Sequence, residues 1–153
     1  MAGVVVDASV AAAWFLPDEA TLFTEAALEL SVTSDVWVPA LWMLEIGNLF
    51  ISAQRRKRIT AVQRQELVQA AAALRLRVDR EPVDMVALDA LAAQHGLTTY
   101  DATYLELAVR RSLPLATLDA ALLKAMSSAG VPPFKPADGA ARPSIVGAAR
   151  PGL

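Results

Sequence analysis

Apolar and polar positions along this chain follow two rhythms. Short contiguous apolar runs, rich in β-branched residues, alternate with longer stretches in which apolar residues recur every three or four positions. The short runs predict buried strands in GVVVD (3–7), DVWVP (35–39), LRVD (76–79) and LPLATLD (113–119). The longer stretches predict helices. ASVAAAWFL runs to Pro17, and DEATLFTEAALEL follows with its acids early. ALWMLEIGNLFISAQRRKR has an apolar front half and a basic end. TAVQRQELVQAAAALRLR starts at Thr60 as N-cap, and EPVDMVALDALAAQHG carries Pro82 near its first turn and Gly96 at its C-cap. A helix opening at Asp101 and AALLKAMSSAG, ended by Gly130, complete the set. Strands alternating with helices predict an α/β domain with a short, mostly parallel sheet.

From Pro132 onward the rhythm stops. Residues 132–153 hold five of the nine prolines and three of the seven glycines, so the domain is expected over 1–131 with an extended or disordered tail beyond it. Within the tail, PSIV is the one segment suited to pairing as an added strand.

Composition narrows the chemistry. A chain of 153 residues with 55% hydrophobic and 20% charged residues is a single folded domain. Cysteine is absent and histidine occurs once, at 95, which excludes disulfides, thiolate nucleophiles, Cys-based zinc sites and paired-histidine catalysis. His95, just before Gly96, reads as a helix C-terminal cation. No signal-peptide pattern opens the chain, and its longest apolar run, VPALWMLEIGNLFI, is shorter than a bilayer span and contains Glu45. The expectation is a soluble, cytoplasmic protein without membrane contact. The formal net charge of −2 hides a basic cluster, Arg55, Arg56, Lys57 and Arg58.

Acidic residues stand at the places where strands give way to helices. In parallel sheets such places form the ligand-binding edge. Asp7 and Asp119 each follow an apolar strand, and Asp101 opens a helix after a glycine turn. An N-capping role covers each aspartate taken singly. Glu45 is different, because it lies mid-helix among Leu41, Trp42 and Leu49, with no cation within a turn. An ionised carboxylate in such surroundings either reaches out to solvent from the edge of the apolar face or has a partner. A metal ion shared with the aspartates supplies one. Oxygen ligands without His or Cys select magnesium, with manganese as the alternative. Magnesium held by a few carboxylates keeps open water positions, which suits hydrolysis of a phosphodiester and needs no nucleophilic side chain.

In order and spacing, VVVDASV, PALWMLEIGNLF, LTTYDATYLELA and LATLDAALLKA resemble the four acidic motifs of PIN-domain ribonucleases, and more closely the VapC toxins of bacterial toxin–antitoxin pairs. The resemblance spans about residues 3–131. It implies a three-layer α/β/α sandwich and a metal-dependent endoribonuclease that cuts RNA by metal-activated water. Asp7, Glu45, Asp101 and Asp119 would be its metal-binding and catalytic carboxylates, with Ser9 and Thr117 as supporting hydroxyls. It further implies a homodimer and a small antitoxin whose tail occupies the acidic groove. The tail at 132–153 departs from the family pattern. The basic run at 55–58 reads either as a guide for the RNA backbone or as a solvated helix end favoured by the dipole. Trp14, Trp37 and Trp42 fall among apolar neighbours and read as core or dimer surface rather than base-stacking platforms. The reading from another class is a catalytically silent PIN-like module that binds RNA or protein.

Overall fold

The computed structural model describes residues 3–137. Among them are four strands, β1 (Val4–Val6), β2 (Val36–Pro39), β3 (Arg77–Asp79) and β4 (Leu115–Ala116). Seven α-helices follow or separate them: α1 (Ala8–Phe15), α2 (Leu22–Thr33), α3 (Leu41–Arg55), α4 (Ala61–Ala72), α5 (Met85–His95), α6 (Thr99–Arg111) and α7 (Ala120–Ala129). The strands form one sheet in the order β3-β2-β1-β4, and every pair is parallel. Helices cover the sheet, giving the expected α/β/α sandwich. β1 is central and fully buried at Val4, Val5 and Val6, which is why it is an unbroken β-branched run rather than an alternating one. Val5 stands opposite Trp37 on one side and Leu115 on the other.

The strand order has a functional consequence. From β1 the chain moves to β2 and β3 on one side, and then returns to place β4 on the other. The switch point therefore lies between the carboxyl ends of β1 and β4, where open parallel sheets bind ligands. Asp7 follows β1 there, and Thr117 and Asp119 follow β4.

Several boundaries differ from expectation because capping groups outrank apolar periodicity. α2 starts at Leu22, not at Asp18, because Thr21 and Thr24 form a reciprocal capping box; Pro17–Glu19 makes a separate 3₁₀ turn. α5 starts at Met85 because the Asp84 carboxylate accepts the amides of Val86 (3.1 Å) and Ala87 (3.0 Å), which leaves Pro82 ahead of the helix. α4 ends at Ala72 instead of reaching residue 77. Thr60 caps it as expected, and Gly96 and Gly130 end α5 and α7 in left-handed conformations.

The chain beyond 131 does not leave the fold at once. The Leu115 amide donates to the Pro132 carbonyl (3.1 Å), and the Phe134 amide donates to the Leu115 carbonyl (3.1 Å), so this segment extends the sheet beside β4. Phe134 is 9% exposed and meets Phe23 edge-on, with ring centroids 5.5 Å apart. PSIV lies outside the described residues.

At the opposite edge, Asp79 ends β3 and is buried. It accepts from Arg110 (2.6 Å) and Arg111 (3.3 Å), and the Arg111 guanidinium lies 3.4 Å from the centre of the Trp37 ring. Burial pushes the Asp79 carboxyl up, but the two arginines outweigh it and hold the group below the usual carboxylate range. This network ties α6 to β2 and β3. Trp14 and Trp42 are buried, Trp14 donating its indole N–H to the Thr24 carbonyl (2.8 Å).

Candidate active site

Asp7 occupies the N-cap position of α1, yet its side chain caps nothing. Its Oδ2 accepts two short hydrogen bonds instead, from Ser9 Oγ (2.7 Å) and from Thr117 Oγ1 (2.7 Å). Each hydroxyl also serves as an acceptor. Ser9 Oγ receives the Leu118 amide (3.1 Å), and Thr117 Oγ1 receives the Asp119 amide (3.0 Å). Ser9 and Thr117 thus stitch the end of β1 to the start of α7. Asp7 and Thr117 are buried, at 4% and 3% exposure, while Ser9 and Asp119 are half-buried, so the junction runs from the interior to the surface.

Asp119 does act as a cap. Its Oδ1 accepts the Leu122 amide at 2.8 Å, which fixes one carboxylate oxygen at the head of α7. Asp101 does not. The expected cap role belongs to Thr98, whose hydroxyl accepts the Asp101 amide (3.1 Å), and Asp101 is the third residue of α6. Gly96 closes α5, and Thr98, extended at φ −67° and ψ 159°, stands at the N-cap of α6 ahead of Asp101.

Glu45 lies half-buried in the second turn of α3. Its Oε1 accepts from the Tyr104 hydroxyl at 2.8 Å. The apolar setting of this carboxylate calls for a partner, but the sequence does not point to this one, because the two residues are 59 positions apart. The one local signal is a polar-tipped aromatic three residues after Asp101.

Electrostatics place the four in one field. Burial raises the Glu45 carboxyl above its ordinary range; the Tyr104 hydrogen bond opposes this, and the charges of Asp7 and Asp101 add to it. Burial likewise raises Asp101, reinforced by Asp119 and Asp7 and opposed by a hydrogen bond from Thr98. Among the described residues, no lysine or arginine forms an ion pair with any of these four carboxylates, whereas Asp18, Asp35 and Glu106 each have one and Asp79 has two. Three of the four are anchored through a single oxygen, with Asp7 Oδ1, Asp119 Oδ2 and Glu45 Oε2 making no hydrogen bond among the described residues.

As the side chains stand, no group of three or more acidic or histidine residues among those described is arranged to hold a metal ion. The donor chemistry nevertheless suits a hard divalent cation: carboxylate oxygens, neighbouring hydroxyls, no nitrogen or sulfur, and uncompensated negative charge.

The basic residues are elsewhere. α3 ends at Arg55 and Arg56 is its C-cap, so the run does not continue the helix; Lys57 turns through a left-handed conformation (φ 59°). Arg58 pairs with Asp18 at 3.1 Å, while Arg55, Arg56 and Lys57 are exposed. At a rise of about 1.5 Å per residue, Arg55 lies roughly 15 Å along α3 from Glu45. His95 is the last residue of α5, as expected of a C-terminal cation.

Comparison with known proteins agrees with this architecture. The crystal structure of PAE2754 from Pyrobaculum aerophilum is similar in fold, with a TM-score of 0.63 and 23% identity over 81% of this chain and 79% of that one. At that identity the likeness speaks for the fold alone. No curated protein matches the chain. The family model for the PIN domain matches residues 4–126, and the chain belongs to the PIN domain family.

Proposed function

We propose that the protein is a metal-dependent endoribonuclease of VapC type, the toxin of a toxin–antitoxin pair, using Asp7, Glu45, Asp101 and Asp119 as its metal-binding and catalytic carboxylates. One observation carries the reading. Four carboxylates, two of them at the sheet's switch point, have no arginine or lysine ion-pair partner among the described residues, and Asp7, Asp119 and Glu45 are each held through one oxygen. A divalent cation, magnesium or manganese, is the complement that this donor set suits.

Within this site each residue has a share. Ser9 and Thr117 hold Asp7 and set its distance from Asp119. Thr98 shapes the turn that presents Asp101. A bound divalent ion supplies acidification of water and neutralisation of the scissile phosphate. Drawing several of the carboxylates onto one ion requires side-chain rotation, which their open oxygens permit. Hydrolysis then leaves a 5′-phosphate and a 3′-hydroxyl. The exposed cations Arg55, Arg56 and Lys57 bind the RNA backbone some nucleotides away from the cut. Replacing those three with Gln lowers RNA affinity at low salt and reduces the salt slope by about 0.7 for each phosphate no longer neutralised; unchanged affinity refutes their role in RNA binding.

Protein partners belong to the same reading: a second copy and a small antitoxin, in the cytoplasm. Apolar exposure supports them. Met43 and Leu44 on α3 are 47% and 68% exposed, and a cleft of about 350 Å³ opens between α3 and α4 over Ile46, Phe50 and Val68. Among the described residues no helix is long and apolar enough to cross a membrane.

The deciding experiment is RNA cleavage by purified, antitoxin-free protein with and without Mg²⁺ or Mn²⁺, beside Asp101→Asn. Metal-dependent cleavage abolished in the variant supports the proposal. Cleavage indifferent to both metal and variant refutes the mechanism. No cleavage together with no metal-induced stabilisation supports the silent binding module instead.

A further inference from the structure

Tyr104 is the largest fully buried side chain among the described residues, with 0% exposure, yet its hydroxyl ends beside the carboxylate site rather than in apolar core. The phenol donates to Glu45 Oε1 at 2.8 Å. Tyr104 itself lies one turn after Asp101 on α6. A single side chain therefore ties the helix that carries Asp101 to the helix that carries Glu45.

The ring cannot move to accommodate a different arrangement. Leu105, Leu107 and Ala108 around it on α6 are buried to 1% exposure or less, and side chains in such packing keep one rotamer. A tyrosine hydroxyl is a neutral donor at physiological pH. A neutral donor holds Glu45 without cancelling its charge, as an arginine there would.

We propose that Tyr104 is a positioning residue, which fixes Glu45 by one oxygen and leaves the other free to help hold a divalent cation together with Asp7 and Asp101. The inference rests on the metal-site reading above. It goes beyond that reading by assigning the orientation of Glu45 to a residue that carries no charge and touches no substrate. Its nearest analogue among general devices is the outer partner of a metal ligand, whose loss typically weakens metal affinity 10–100-fold.

The test compares Tyr104→Phe, Glu45→Gln and the double variant. Mn²⁺ affinity is measured by calorimetry on RNA-free protein, alongside kcat and KM for a model oligoribonucleotide. The expected result for Tyr104→Phe is roughly ten-fold or more weaker Mn²⁺ binding, a lower kcat at saturating metal and an unchanged KM. Added to Glu45→Gln, the second change should do little more, since the residue it positions is already gone. Full-strength Mn²⁺ binding by folded Tyr104→Phe, with Glu45→Gln impaired, overturns the positioning role and leaves the metal site standing. Wild-type metal binding in Glu45→Gln overturns the assignment of Glu45, and the proposal for Tyr104 with it. Should Tyr104→Phe fail to fold, the wild-type hydroxyl proton, followed by NMR, replaces it: that resonance should shift on Mg²⁺ addition, and a resonance unmoved by saturating metal overturns the proposal.

Discussion

Replacing Thr117 by valine separates two accounts of the residue that predict opposite signs. As an ordinary residue following a buried strand, Thr117 gains from the change: valine has the same shape, suits strands at least as well and buries one more apolar group, worth about 0.8 kcal/mol. The structure predicts a loss. Thr117 Oγ1 donates to Asp7 Oδ2 at 2.7 Å and accepts from the Asp119 amide at 3.0 Å, at 3% exposure. A hydrogen bond to a charged group is worth about 1.5–3 kcal/mol, and the part-buried Asp119 amide, losing its acceptor, adds to this. Ser9 still holds Asp7, so that carboxylate is not left bare. Set against the apolar gain, the net loss is about 2 kcal/mol, or roughly 6 °C in Tm for a domain of this size. Urea denaturation in EDTA measures it directly, and the slope of the transition should not change. A second readout follows from the geometry: with Asp7 and Asp119 no longer stitched, Mn²⁺ binding should weaken while the fold persists. An equal or higher midpoint, with metal affinity intact, refutes the junction and returns Thr117 to the strand.

Three further outcomes follow from the same structure. Glu45 and Asp101 have carboxyl pKa values raised by burial and by neighbouring acids, so their ionised forms weigh against the fold. The sign is that stability from these two groups is present at low pH and lost as pH rises through their folded pKa values; Tm of the metal-free protein should therefore rise as pH falls from neutral through those values, and Asp101→Asn should be more stable than wild type at pH 7 in EDTA. A less stable Asp101→Asn would count against the shared field. Asp79 is the reverse case, its pKa lowered by Arg110 and Arg111, so its contribution is present at neutral pH and lost only as pH falls through the folded value. Asp79→Asn should cost about 1–3 kcal/mol at pH 7, discounted from a fully buried pair because both arginines are about a third exposed; equal stability at pH 7 by denaturation would contradict it. Phe134→Ala removes the ring packed on Phe23 and should cost about 2–3 kcal/mol, a little below a deep-core value; no loss in thermal unfolding would place residues after 131 outside the cooperative unit.

The fold is readable where its signals are local. An uninterrupted Val4–Val6 run can only be a strand buried on both faces, and Thr60, Gly96 and Gly130 mark helix ends by chemistry that acts within one turn. Sequence misleads where two local rules compete. Asp18 and Glu19 resemble a helix's acidic first turn, but Thr21 offers a complete capping box three residues later, and Pro82 resembles a first-turn proline although Asp84 binds two amides beyond it. The segment 132–134 misleads for another reason. Its proline content argues against regular structure, yet Pro133 adds to a sheet edge, a place where a missing N–H is tolerated.

The site is readable in part, and the division follows sequence distance. Asp7 and Asp119 sit at strand-to-helix junctions that any parallel sheet gathers along one edge, so periodicity alone brings these two together, whereas Asp101 follows a helix-to-helix turn. What distinguishes a site from three caps is which groups the carboxylate oxygens bind, and that is decided by pairings 59 to 110 residues apart, Tyr104 to Glu45 and Thr117 to Asp7. Only Asp119 proves to be a cap; Asp7 is turned to hydroxyls and Asp101 is relieved of capping by Thr98. Had all three been capping, helix formation alone would explain them and the acidic edge would need no ligand. Two junction aspartates released from that duty, in a site where the remaining partners are all neutral, leave negative charge that the described residues do not offset. Under the proposed function a divalent cation offsets that charge, and the expected outcome is a rise in Tm on adding Mg²⁺, with no rise counting against it.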